Sequence, residues 1–167
     1  MQAIVLGLDR CLGLVARLAA WLALPVVLAL FLQWPLRDWA QCCSREVNDL
    51  AQWLFAIYVA VAVLAATRAN THLRVDMLAR NHTPRVKAAM TRAGAGLILL
   101  PFALVVISAS WPGAAASFSV LERFPDTLNP GYFIIKLAAP LMGLLLALQA
   151  LVELTAPDRE RPSRAEP

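Results

Sequence analysis

Charge is scarce in this chain of 167 residues, where Asp, Glu, Lys and Arg together make up 16%. Histidine occurs twice, as His72 and His82, and cysteine three times, as Cys11, Cys42 and Cys43. Each shortage excludes something. So little charge beside 60% hydrophobic residues rules out a disordered chain, which could not stay solvated. It also argues against a soluble enzyme, because a domain of this length cannot bury so much apolar surface. Both histidines fall between apolar runs rather than within them, so paired axial ligands for a membrane haem are lacking. Adjacent Cys42 and Cys43 lack the Cys-x-x-Cys spacing of a thiol–disulfide exchanger, since neighbours bridge only with backbone distortion. The sequence holds no nucleophile–base pair, glycine-rich phosphate loop or zinc motif. Catalysis and a resident cofactor or metal are therefore not expected.

What is abundant is apolar length, with a mean hydropathy of +0.64. The excess is gathered in four runs: Leu18 to Trp34, Leu50 to Thr67, Ala93 to Trp111 and Tyr132 to Val152. A hydrocarbon core of ~30 Å takes about 20 helical residues to cross, so each run is long enough. With their flanks, the spans are expected over 11–34, 48–68, 90–111 and 131–153, the first requiring Arg17 to snorkel. None alternates with a period of two, which disfavours a membrane β-barrel and leaves helices. The expectation is an all-α integral membrane protein of four transmembrane helices with amphipathic interfacial segments. One domain covers 1–155, and 156–167 form a polar tail.

Helix punctuation supports these limits. Thr83-Pro84 and Asn129-Pro130 each place a capping residue before a proline suited to a first helical turn. Pro35 and Pro157 follow the first and fourth runs, while Pro25, Pro101 and Pro140 lie inside spans and should bend them. From Pro84 to Trp111 the third helix has about 28 residues, or ~42 Å, and should tilt or project. Arg10 and Arg17 before an apolar run could mark a secretory signal. The following Gln33-Trp34-Pro35-Leu36 offers no small-residue cleavage site, so a retained first span is expected.

The Lys and Arg residues divide unevenly. Eleven lie in the N-terminal stretch, the 68–92 connection and the tail, against three in the first and third connections. By the positive-inside rule both termini should be cytoplasmic. The basic balance thus reflects orientation, and no aromatic-interleaved basic stripe suggests nucleic acid.

Polar residues within the spans are few. Lys136 is the one charge well inside a run, with Gln33, Gln52 and Gln149 as milder cases. Lys136 has three open readings: snorkelling to the outer headgroups, pairing with a partner subunit, or contacting a substrate. Ala56-x-x-x-Ala60 and Ala62-x-x-x-Ala66 place small residues where another helix could approach, unless alanine is merely common here. The densest polar stretch runs from Thr67 to Leu78. Its plain reading is a solvated basic connection, but Leu73, Met77 and Leu78 share a helical face with Arg74 and Asp76 off it. A short amphipathic helix in the interface plane fits that order.

At this segment the chain resembles the four-span small membrane subunit (DctQ-like) of the tripartite ATP-independent periplasmic (TRAP) transporters. The carrying residues are Arg68 and His72-Leu73-Arg74-Val75-Asp76 just after the second span. Trp34-Pro35-Leu36-Arg37-Asp38-Trp39, and the last run from Tyr132 through Lys136 and Pro140 to Leu151, are similar to the family as well. One departure is Asn48-Asp49, where many members carry an acidic pair. The resemblance implies a three-part importer in the bacterial inner membrane. A periplasmic solute-binding protein would deliver an organic acid or related solute. A large membrane subunit would carry the substrate and use the sodium gradient, and this chain would be its scaffold in a heterodimer. Arg68, His72, Arg74, Asp76 and Lys136 are the candidate partner or structural residues. The alternatives are an autonomous small transporter and a membrane anchor subunit of an enzyme complex.

Overall fold

The structure is a computed structural model, and it describes residues 2–40, 44–69 and 83–155. Among these residues four helices are long and apolar enough to cross a membrane. Helix α1 covers Gln2–Pro35 and continues through a wide π-helical turn, Leu36–Ala40. Helix α2 covers Ser44–Ala69. Helix α3, Pro84–Gly94, passes through a π-helical turn at Ala95–Leu99 into α4, Leu100–Ser119. Helix α5 covers Tyr132–Thr155.

Three boundaries differ from those the sequence suggests. Helix α1 begins well before Cys11, and Pro35 does not end it: the chain widens into the π-helical turn instead. Pro84 does open α3, although the Thr83 hydroxyl makes no capping bond. Asn129-Pro130 does not open α5, which starts at Tyr132. The Asn129 side chain binds elsewhere, and Pro130 sits in an isolated antiparallel bridge with Arg123. Tertiary partners outbid the local capping pattern there.

The long third span shows how a proline is absorbed. Pro101 lacks an N–H, and its ring crowds the carbonyl four residues back. The π-helical turn ends just before it, with the Leu100 N–H reaching the Ala95 carbonyl five residues behind. Widening the turn relieves the crowding while backbone groups stay paired. The 11, 5 and 20 residues of α3, the turn and α4 thus form one rod longer than any bilayer needs.

The helices pack as a row, in the order α1, α2, α5, α4, rather than in chain order. Leu12, Val61, Leu64, Leu145 and Val152 form the core joining α1, α2 and α5. Ala103, Leu146 and Ala147 form a second core between α4 and α5, with Val63 of α2 against it. Helix α5 is the spine: 44% of its most apolar window is buried, against 12% and 11% for the first and third spans. Gly143 explains the close approach of α4. A Cβ there would stand 2.7 Å from Ile107 Cγ1 and 3.1 Å from the Ala103 carbonyl. Of the small residues on α2, Ala60 is buried, 2% exposed, so that position belongs to packing rather than to lipid.

Candidate functional site

Polar side chains collect at the two ends of this row. The first cluster lies where α1 begins and α5 ends. Arg68, at the end of α2, places Nη2 2.9 Å from Asp9 Oδ1 on α1 and 3.2 Å from the Asp9 carbonyl. Its Nη1 donates to Gln149 Oε1 on α5 at 2.8 Å. Gln149 in turn donates through Nε2 to Glu153 Oε1 at 3.1 Å. One guanidinium thus joins three helices, its planar fork presenting two nitrogens to separate partners at fixed angles, a geometry the compact lysine ammonium does not offer. Gln149 is 1% exposed, so its amide would be costly without these partners. Gly13 makes room for the group: a Cβ there would meet Arg68 Nη2 at 3.3 Å.

The second cluster lies at the opposite end. Asp49, early in α2 and only 7% exposed, accepts hydrogen bonds from the Thr127 hydroxyl and from Asn129 Nδ2, the latter at 3.1 Å. Both donors sit on the 120–131 connection. That connection is pinned again by Lys136, whose Nζ stands 2.6 Å from Glu122 Oε2, and by the Ser117 hydroxyl on the same oxygen. The Lys136 ammonium also lies 5.2 Å from the Tyr132 ring centre. Hydrogen bonds from Lys136 first, and then Ser117, hold the Glu122 carboxyl below the usual carboxylate range. Phe124, 3% exposed, stacks edge-on against Tyr132. Gly131, at φ +126°, takes a conformation that favours glycine and brings the chain under Phe124 and Trp53.

From Asp49 to Arg68 along α2 is about 19 residues, or ~28 Å of helix, close to the ~30 Å of a hydrocarbon core. The two clusters therefore stand at opposite borders of one apolar layer. Between them α5 shares an open apolar groove of about 420 Å³ with α2 and α4, lined by Ile57, Ile107, Trp111 and Leu141 among others.

Of the residues singled out in the sequence, Arg68 and Lys136 are placed in these clusters. Lys136 takes a partner from its own chain, Glu122, which none of its three sequence readings foresaw. His72, Arg74, Asp76, the amphipathic stretch around Leu73 and Met77, Cys42, Cys43 and the tail lie outside the described residues. Cys11 is an exposed free thiol. Sequence reasoning missed Asp9, Glu122 and Glu153 as partners. The available signal was Gln149, since an amide deep in an apolar run implies a partner at the same depth.

Four membrane-length apolar helices in a row, tied by polar contacts at both ends, define a small multi-helix protein of membrane type. The family described as "Tripartite ATP-independent periplasmic transporters, DctQ component" matches residues 40–159. The chain belongs to that family, and is a TRAP small permease subunit, a transporter component. No curated protein and no solved structure matches it.

Proposed function

We propose that this subunit is a scaffold that holds the large sodium-coupled membrane subunit of its transporter during solute uptake. The large subunit carries the substrate, an organic acid or related solute, and a periplasmic binding protein delivers it. The observation that supports this reading is where the polar groups go. Arg68 binds Gln149, Asp49 binds Thr127 and Asn129, and Lys136 binds Glu122, all at the two borders, so these groups brace helices rather than line a path. The outer helices α1 and α4 meanwhile expose long apolar faces to lipid or to a partner. A carrier that shuttles substrate across the membrane needs a fixed reference, and a braced row of helices supplies one.

The orientation proposed is cytoplasmic for both termini, in an inner membrane. The contact of Asp9, Arg68 and Gln149 puts the start of α1 and the ends of α2 and α5 at one border, the border that carries most Lys and Arg. Uptake into vesicles tests the function. The large subunit with sodium and binding protein should transport poorly without this chain and recover when it is added. Equal uptake in its absence would refute the scaffold. A single cysteine at Ala115 should react with an impermeant reagent on intact cells, and labelling at Ala165 would reverse the topology.

A further inference from the structure

Helix α1 exposes an apolar stripe of Leu14, Leu18, Trp21, Leu24 and Leu28, with Trp21 75% exposed. At helical spacing Arg17 falls inside that stripe and is exposed too. Its Nε reaches only the Gly13 carbonyl of its own helix, at 3.4 Å, and among the described residues it has no acidic partner. Depth makes this unusual. Asp9, beside the Arg68 guanidinium, marks the border of the apolar layer, and Gly13 touches the same group. Arg17 lies about four residues, ~6 Å, past Gly13 and about eight, ~12 Å, past Asp9 toward the opposite border. Arg10 is on the same stripe but next to Asp9, level with the headgroups. The two arginines therefore face different surroundings. Arg10 is placed for phosphates, whereas Arg17 lies back over its own preceding turn and ends level with the Gly13 carbonyl, about a turn inside the Asp9 border.

A cation on an apolar face at that depth calls for an opposite charge on whatever covers the face. We propose that the Leu14–Leu28 face of α1 docks against a membrane helix of the large subunit, and that this helix presents a carboxylate to Arg17. The inference rests on the scaffold reading and adds to it the face that is used and the chemistry of the group that meets it. The clamp on Asp9 then has a second consequence: by fixing the level of α1, Arg68 fixes the depth at which Arg17 is offered.

The experiment is co-expression with a tagged large subunit, extraction in mild detergent, and measurement of how much of this chain is retained. Arg17→Gln should lower retention roughly tenfold or more, the scale on which an unpaired buried charge weakens an interface. Arg17→Lys should fall between, and Arg10→Gln should match the wild type. The isolated Arg17→Gln chain should melt like wild type, which separates docking from folding. A photo-crosslinking residue at Leu18 should join the two subunits in native membranes, whatever the fate of the arginine variants. Wild-type retention of Arg17→Gln, or no crosslink from Leu18, overturns the proposal. Equal losses for Arg10→Gln and Arg17→Gln, restored by added anionic lipid, overturn it in favour of a lipid phosphate. Failure of the wild-type chain to be retained at all overturns the scaffold reading itself, and this inference with it.

Discussion

The two borders of the molecule solve the same problem with different parts. At the end where α1 begins and α5 finishes, long side chains reach directly from helix to helix, and Arg68 meets Asp9 and Gln149 without a loop between them. At the opposite end, among the described residues, no side-chain hydrogen bond or ion pair joins α2 to α5 directly. Asp49 holds Thr127 and Asn129, Lys136 holds Glu122, and the intervening connection carries the load. The first arrangement concentrates its effect in one guanidinium with side-chain exposures of 21% for Arg68 and 27% for Asp9. The second spreads it over several weaker ties, some of them half in water. A hub fails at once when its centre is removed, whereas distributed pins fail piecemeal.

That contrast can be broken most sharply at Arg68. Arg68→Ala removes the guanidinium from beside the Asp9 carboxylate and takes the donor from the buried Gln149 Oε1, and should cost about 3 kcal/mol. Thermal unfolding in detergent reads this as a clear fall in Tm, and Asp9→Asn should cost less because Gln149 keeps its donor. If Arg68→Ala melts like wild type, the terminal border is not a hub.

The next effect is expected at Asp49. Asp49→Ala removes the acceptor of two hydrogen bonds from a buried site and should cost about 2 kcal/mol. Because the loss falls on the 120–131 connection, limited proteolysis there should rise while the Arg68 end keeps its protection. Equal loosening at both ends would merge the two borders into one cooperative unit. Gly143→Val tests the spine between them. The added carbons would meet Ile107 and the Ala103 backbone, so α4 must shift, at about 1–3 kcal/mol.

The smallest effect belongs to Glu122, and it should depend on pH. Its carboxyl titrates below the usual range in the folded protein, so its tie is fully present above the unfolded value. The contribution fades as pH falls through the lowered folded value. Comparing Tm of wild type and Glu122→Gln from neutral to acid pH should show a gap that closes on acidification. A gap that widens would contradict the assignment of Lys136 as its partner.

Much of this architecture was legible in the residues. Four apolar runs of sufficient length declare four helices, because no other backbone can satisfy its own polar groups in lipid. The prolines were less readable. Pro101 looked like a bend, and what hydropathy did not show was the form of the irregularity, a π-helical turn just before it from which the helix runs on. Asn129-Pro130 looked like a helix start, since a local pattern cannot reveal that a distant Asp49 will claim the asparagine. Arg68 was visible as a motif residue, and Gln149 as an oddity, yet nothing in their spacing of about 81 residues linked them. Asp49 stood out only as a departure from a family pattern, and its burial gives that departure a structural role.

The sequence by itself determined the apolar character, the number of membrane-length helices and the uneven charge of the connections, for these depend on composition summed over local segments. Only the tertiary structure decided the order of the helices in the row, and with it which polar residues meet. Apolar stripes are nearly interchangeable in lipid, so hydropathy cannot select neighbours. Selection falls to a few short-range fits: a glycine at 143 that admits α4, a glycine at 13 that admits a guanidinium, and an aspartate at 49 that captures a loop.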